Sequence, residues 1–143
     1  MTFDDVVQNL DRTDVVAIIT TRAAGQPIAT PIWSMVVDGV PYVRSAFGER
    51  SWWYRHIRAG RAVAFAHGDG AVAEQDRSAA LDLPRELVAT TYIPAEEPVQ
   101  SRIDDEILRK YSDAPQDSID AMLSPEARAC TLRIDRIDAP ADT

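Results

Sequence analysis

The fold is decided by residues 15–46, which read VVAIITTRAAGQPIATPIWSMVVDGVPYVRSA. The β-branched run at residues 15–22 predicts a strand, and a glycine turn leads from it into a second strand at residues 27–37. The dipeptide that follows, Asp-Gly, is preferred in two-residue hairpin turns, and residues 40–46 come after it as a third strand. Local signals alone therefore predict three consecutive antiparallel strands.

The rest of the chain supplies further short strands and short helices. Four stretches carry the β-branched or alternating pattern of strands, namely residues 61–67, 71–75, 85–93 and 129–137. Helices are predicted at the N-terminus and at residues 52–59, 102–111 and 118–123, with caps at Thr2, Ser51 and Ser101 and a stop at Gly60. Residues 76–84 have no clear period and are predicted as a loop, and the tail at residues 138–143 is expected to fray.

Length and connectivity narrow the fold class. Because the connections are hairpins too short for parallel crossovers, the pattern predicts an α+β fold, a small antiparallel β-barrel with peripheral helices. A chain of 143 residues suffices for one domain, so residues 1–143 are predicted to form a single unit. No apolar run approaches the ~20 residues that span a bilayer, and the acidic N-terminus lacks the features of a secretory signal. We therefore expect a cytoplasmic protein that does not insert into membranes.

Charge and cysteine content disfavour two kinds of site. The net charge of -8 repels a phosphate backbone, which argues against general nucleic-acid binding. Cys130 is the single cysteine, and only His56 and His67 accompany it, so no dedicated metal centre is expected. A small molecule is therefore the expected ligand.

Positive charge nevertheless gathers in residues 42–61, where one acid, Glu49, accompanies five arginines: Arg44, Arg50, Arg55, Arg58 and Arg61. Arg44 and Arg50 straddle the loop before the helix that is predicted to begin after Ser51. A helix start presents unpaired N–H groups and a partial positive charge, so these two arginines favour a phosphate site. For the other three, the preferred interpretation is a solvated helix face whose cations complement the helix dipole.

Large planar side chains lie near this predicted phosphate site. Trp33 is on the second strand, and Trp52, Trp53 and Tyr54 open the helix. Planar rings can flank a planar ligand, and the alternative is that they form core or a dimer interface. Because adjacent helix residues point in different directions, only one of Trp52 and Trp53 is predicted to face a ligand.

One side chain is a weak candidate for catalysis. His67, at the end of the fourth strand, could donate a proton near a pocket, and the alternative is a structural histidine beside the Gly-Asp-Gly turn. No Ser-His-Asp, Cys-His or paired-carboxylate pattern stands out in the sequence. The catalytic residues are therefore not identified from the sequence.

The order of these pieces resembles the flavin-binding split-barrel superfamily, which includes pyridoxamine-phosphate-oxidase-like proteins and deazaflavin-dependent nitroreductase-like enzymes. The shared pattern is GQPIATPIWSMVVDGVPYVRSAFGERSWWYRHIRAGRAVAFAHGDG, residues 25–70, with its Pro-Ile-Trp strand, Asp-Gly hairpin and arginine-rich helix. Within that group, DDEILRKY and SIDAMLSPEARACTLRI look like a bacterial subfamily of unknown function. The resemblance implies a six-stranded split β-barrel that forms a homodimer, with FMN or a deazaflavin coenzyme in a groove between subunits.

The same resemblance implies roles for individual residues. One strand would lie along the flavin ring system, while a strand end, a loop and a helix start would serve the cofactor phosphate. The predicted cofactor-binding residues are Thr30, Pro31, Ile32, Trp33, Arg44, Ser45, Arg50 and Ser51, joined by Trp52 as the ring that faces the ligand. Related proteins often have Gly-Lys before this helix, where this chain has Gly48-Glu49-Arg50.

The leading interpretation is a small FMN- or deazaflavin-dependent oxidoreductase that transfers a hydride to a small organic substrate. In such a protein the cofactor ring carries the hydride, and the chain supplies binding and orientation. Two alternatives stay open: a non-redox ligand-binding protein, and a tailoring enzyme such as a cyclase or isomerase that uses the same pocket without flavin. Glu49 in the phosphate loop favours these alternatives.

Overall fold

The three strands predicted at the start of the chain continue into one antiparallel sheet in the computed structural model, which describes residues 1–137. The expectation for the tail at residues 138–143 lies outside this range. The strands are β1 Val16–Thr21, β2 Pro27–Ile32, β3 Met35–Val37, β4 Val40–Arg44, β5 Val63–Ala66, β6 Arg85–Ile93 and β7 Thr131–Asp135. The α+β class is confirmed, and the sheet has seven strands within the described part of the chain instead of the expected six.

The strand order makes the sheet a curled half-barrel. Along the sheet the order is β2-β1-β5-β6-β7-β4-β3, and every neighbouring pair is antiparallel. Strand β6 joins the two halves, because its residues 85–88 pair with β5 and its residues 89–93 pair with β7. Strands β2 and β3 form opposite edges although two residues separate them in the chain, so the sheet must curl.

Within residues 1–137, seven helices surround this sheet: α1 Phe3–Arg12, α2 Trp52–Arg58, α3 Val72–Gln75, α4 Arg77–Leu81, α5 Val99–Lys110, α6 Gln116–Leu123 and α7 Pro125–Arg128, with a 3-10 turn at Gly48–Arg50 before α2. The start of α1 is confirmed, since Thr2 Oγ1 accepts from the Asp5 N–H and the Asp5 carboxylate accepts from the Thr2 N–H. Helix α5 begins earlier than predicted, after Pro98 instead of Ser101. Within residues 1–137, no helix is both long and apolar enough to cross a bilayer.

The predicted strand at residues 27–37 is interrupted, which accounts for one additional strand. Ser34 is completely buried, its N–H donates to the Tyr111 hydroxyl at 3.0 Å, and its Oγ donates to the Leu10 carbonyl at 2.7 Å. Lys110 Nζ donates to the carbonyls of the same Leu10 and Ser34 at 2.7 and 2.8 Å, and burial lowers the pKa of Lys110 to about 8. Because helix side chains take these backbone groups, the strand ladder ends there.

Residues 72–75 form α3 and residues 77–81 form α4, so the strand predicted at 71–75 was wrong, and the loop predicted at 76–84 is helical over residues 77–81. The two helices cover a sheet face built of small residues, and the shared cluster contains Ala17, Ile19, Ala29, Ala64, Ala66, Ala73 and Ala80. A Cβ at Gly70 would lie 2.2 Å from the carbonyl carbon of Val16, so only glycine fits this approach. Alanine is the best helix former, and its small side chain suits the close packing.

Two hydrophobic clusters position the elements that surround the functional site. Helix α2 is anchored in the main core by Trp53, Tyr54 and Ile57, which pack with residues of α1 and of the sheet. Helix α6 is anchored through Met122 in a second cluster that includes Ile103 of α5. These contacts place the start of α2 and one face of α6 on the same cavity.

Candidate functional site

Eight of the nine predicted cofactor-binding residues line one cavity of ≈ 480 Å³, a size typical of small-molecule sites. They come from β2, from the end of β4, and from the loop and helix start that follow. These residues are Thr30, Pro31, Ile32, Trp33, Arg44, Arg50, Ser51 and Trp52. The structure therefore brings together side chains that the sequence places on three separate elements.

Ser45, the ninth residue, lies behind the cavity wall and shapes it. The residue is completely buried, with its Oγ 2.6 Å from the Gly48 carbonyl and 2.8 Å from Ser51 Oγ. A single hydroxyl proton satisfies the carbonyl, so Ser51 donates to Ser45. Gly48 takes the left-handed φ of 63°, which lets the loop turn this tightly. Ser51 consequently stands at the start of α2 without capping it through its side chain.

Arg44 is a structural residue, which corrects its predicted role as a phosphate ligand. The side chain is buried, and each of its five N–H groups has an acceptor within the protein. Nε donates to Thr131 Oγ1, Nη1 to Asp104 Oδ1 and the Met122 carbonyl, and Nη2 to the carbonyl and Oε1 of Gln100. With no donor left over, Arg44 contributes to the cavity wall and not to anion binding.

The Arg44 network ties the helices to the sheet. Asp104 accepts from Arg44 at 2.6 Å and from Arg128 at 2.5 Å, so one carboxylate links β4, α5 and α7. Gln100 Nε2 donates to the carbonyls of Ile93, Pro94 and Arg128. Burial lowers the pKa of Arg44, and the hydrogen bond and charge of Asp104 oppose that effect. The sequence indicates that Arg44 needs an acidic partner, because it ends an apolar strand and a buried charge must be paired. Nothing in the sequence identifies Asp104 as that partner.

Arg50 lines the cavity as an exposed cation, unlike the buried Arg44. Its side chain is exposed, and its Nε donates to the Phe47 carbonyl at 3.3 Å. Among the described residues, the terminal nitrogens of Arg50 have no hydrogen-bond or salt-bridge acceptor. Glu49 is exposed and does not line the cavity. Of the two arginines predicted to hold a phosphate, Arg50 therefore keeps donors free for one among the described residues. Its neighbour Glu49 lies outside the cavity lining.

Aromatic rings form the walls of the cavity. Trp33 stacks on Tyr111 with centroids 3.9 Å apart and an interplanar angle of 4°. Trp52 is 43% exposed, donates through Nε1 to Thr30 Oγ1 at 3.3 Å, and has the Arg77 guanidinium 4.7 Å from its ring centroid. Trp53 also lines the cavity, from a buried position, and it stays a prediction that only one of the two tryptophans faces a ligand. The cavity wraps around the start of α2 and reaches two adjacent side chains.

Six lining residues were not predicted, namely Ala46, Phe47, Trp53, Ser118, Ala121 and Met122. Three of them share one face of α6 through the i, i+3, i+4 spacing, which the sequence shows without indicating what that face contacts. Phe47 is 65% exposed at the cavity mouth. Packing of α6 against the sheet side of the molecule could not be deduced from local sequence.

His67 is not brought to the cavity. The residue is exposed, and it lines a separate depression with Asp5, Asn9 and Arg12 of α1. A ligand held between Trp33 and Arg50 would therefore not meet this imidazole, which removes the one catalytic candidate from the site. Within residues 1–137, no three His, Cys, Asp or Glu side chains gather in a way that could hold a metal ion.

Solved structures share this fold at low sequence identity. The conserved hypothetical protein Rv2991 from Mycobacterium tuberculosis gives a TM-score of 0.62 at 18% identity, covering 96% of this chain and 82% of that chain. HutZ, the heme storage protein from Vibrio cholerae, gives 0.60 at 9% identity, covering 97% and 93%. Campylobacter jejuni ChuZ gives 0.57 at 11% identity, covering 93% of this chain and 49% of ChuZ. These similarities establish a split-barrel-like half-barrel, and none of the three descriptions names a flavin.

Sequence comparison establishes the family. No curated protein matches the chain. The chain belongs to the family described as uncharacterized protein conserved in bacteria (DUF2255), whose model matches residues 6–134. The predicted membership in a bacterial family of unknown function is thereby confirmed.

Proposed function

We propose that this member of the DUF2255 family is a ligand-binding protein that holds a flat organic molecule carrying an anionic group. The observation that carries the proposal is the cavity itself, where Trp33, Trp52 and Trp53 line the walls together with Arg50, whose terminal nitrogens have no acceptor among the described residues. Aromatic walls select planar apolar ligands, and a guanidinium at the mouth selects a phosphate, carboxylate or sulfonate.

The lining favours binding over catalysis by side chains. Among the described residues that line the cavity, none is a histidine, cysteine, lysine, aspartate or glutamate. The hydroxyls present belong to Thr30, Ser51 and Ser118, and no base adjoins them within the lining. A cyclase or isomerase would need a group that moves a proton, and nucleophilic catalysis would need an activated nucleophile. The non-redox enzyme is therefore the less favoured alternative.

Heme does not fit this cavity well, although HutZ is a heme storage protein. Proteins hold heme iron through histidine, cysteine, methionine or tyrosine. Met122 is the one such residue in the described lining. The proposed ligand is therefore an organic molecule without iron, and hemin should not give the spectrum of a protein-ligated heme.

An FMN- or deazaflavin-dependent oxidoreductase is the second candidate, favoured by the run Thr30–Trp33 along one wall with Arg50 at the mouth. The flavin ring, when bound, would supply the hydride chemistry. The chain's own residues would flank the ring with Trp33 and Trp52 and hold the phosphate through Arg50. Arg44 would take no part in phosphate binding, since all its donors are occupied.

Quenching of tryptophan fluorescence tests both candidates. The full chain is titrated with FMN, with riboflavin, with a deazaflavin coenzyme and with anilinonaphthalene sulfonate, a flat aromatic anion. Saturable binding of the sulfonate that is lost in Trp52→Ala supports the ligand site, and FMN binding above riboflavin supports a phosphate contact. If the sulfonate binds and no flavin does, the redox candidate fails. If no probe binds, the ligand-binding proposal fails as well.

A homodimer is part of the proposal, because Phe47 is 65% exposed and Trp52 is 43% exposed at the cavity mouth. Two-fold dimers are the commonest oligomers, and a second copy would cover these rings. Light scattering at tens of micromolar protein should give twice the mass of 15.8 kDa. A monomer mass would leave the cavity open on that side and would contradict this part of the proposal.

A further inference from the structure

Four basic side chains have no role in the cavity or in the Arg44 network. Arg55 and His56 stand near the end of α2, Arg61 follows that helix, and Arg22 follows β1. We call these four residues the basic cluster. Among residues 1–137, none of its three arginines forms a salt bridge, although the chain has 23 acidic residues against 15 basic ones.

Hydrogen bonds bring the two loops of the basic cluster together. Arg61 Nη1 donates to the Thr21 carbonyl at 3.2 Å, and Thr21 Oγ1 donates to the Ala62 carbonyl at 2.9 Å. Arg22 is the next residue after Thr21, so it lies at the same end of the sheet as Arg61. The helix dipole accounts for cations on the last turn of α2, but it does not account for an arginine that follows β1.

His56 joins the basic cluster through a hydrogen bond to β1. Its Nδ1 is 2.9 Å from Oγ1 of the buried Thr20, and no partner of its Nε2 is found among the described residues. The pKa of His56 is lowered by burial and by the positive charges of Arg61, Arg22 and Arg55, in that order. Hydrogen bonds to Thr20 and Thr21 place His56 and Arg61 beside successive residues of β1, and each of the three arginines acts on the imidazole.

We propose that the basic cluster is a binding site for a small, multiply charged oxyanion, separate from the aromatic cavity. Clustered cations repel one another, and a ligand with several phosphate or carboxylate groups attracts all of them at once. The guanidinium groups of Arg22 and Arg55 donate to the anion, and His56 donates through Nε2 once protonated. This site does not rest on the function proposed for the cavity.

The pKa of His56 shows whether an anion is bound to the basic cluster. The full chain is titrated by NMR from acid to neutral pH with tripolyphosphate, with citrate, and with sodium chloride at matched ionic strength. A bound polyanion cancels the repulsion from the arginines, so the pKa of His56 rises above its value in sodium chloride. A shift with tripolyphosphate alone identifies a phosphate site, and a shift with both anions identifies a site for polyanions in general. A His56 pKa that moves no further than with sodium chloride overturns the proposal.

Matched variants locate the site. Replacing two exposed guanidinium groups in Arg22→Gln/Arg55→Gln should weaken tripolyphosphate binding by about tenfold, as expected for two exposed charge contacts. Arg85→Gln is the control, because this exposed arginine pairs with Ala66 at the far end of β5. Equal losses per charge removed in the two variants would mean that net charge alone attracts the anion, and they would overturn the proposal. Binding of anilinonaphthalene sulfonate in the cavity should be unchanged in the double variant, which separates this site from the first.

Discussion

Asp104→Asn tests whether Arg44 is a structural residue. The substitution keeps the size of the side chain and removes the charge that Arg44 and Arg128 share at 2.6 and 2.5 Å. Each charge-assisted hydrogen bond contributes roughly 1.5–3 kcal/mol. Because Asp104 is 23% exposed and asparagine still accepts one bond, we expect a loss of about 3 kcal/mol in the free energy of unfolding.

Urea denaturation measures that loss, and a melting temperature lower by about 10 °C should accompany it. Asp105→Asn is the matched control, since the adjacent Asp105 is exposed and forms no salt bridge among the described residues. A surface change of this kind should stay within about 0.5 kcal/mol. If Asp104→Asn is no more destabilising than the control, the buried pair does not hold Arg44, and its earlier interpretation as an anion ligand returns.

Three further predictions follow from single residues. Arg50→Ala should weaken FMN binding about ten- to hundredfold without a change in stability, and the control Arg58→Ala should change neither. Equal losses of affinity in titrations of the two variants would mean that the overall positive charge, and not a contact with Arg50, attracts FMN. Gly70→Ala should destabilise the fold by more than about 3 kcal/mol in urea denaturation, because its Cβ would lie 2.2 Å from the Val16 carbonyl carbon; a near-neutral effect would contradict the close approach of α3 to β1. Burial lowers the pKa of Lys110 from 10.5 to about 8, so between these pH values the unfolded chain binds more protons than the folded chain. The free energy of unfolding of the wild type, relative to that of Lys110→Met, should therefore rise from pH 8 to pH 10. A difference that does not change with pH would mean that Lys110 is solvated.

Features whose cause lies within a few residues could be predicted from the sequence. The Asp-Gly turn between β3 and β4 was predicted because its left-handed backbone, φ 51° and 78°, suits these two residue types. The capping box at Thr2 and the helix stop at Gly60 follow from hydrogen bonds and φ values that are local in the chain. The run Thr30–Trp33 and the loop before α2 line the same cavity, as the resemblance to the split-barrel superfamily implied.

Features that depend on distant partners were decided only by the tertiary structure. The sequence around Arg44 is the same whether Arg44 binds a phosphate or forms an ion pair within the protein. Its role is set by Asp104, 60 residues away. The strand break at Ser34 depends on Tyr111, 77 residues away, and the helices at residues 72–75 and 77–81 depend on the space that Gly70 leaves above β1. Burial removes water from these groups, so each must find a partner or a gap in the folded chain, and the choice among partners is made by the packing of whole elements.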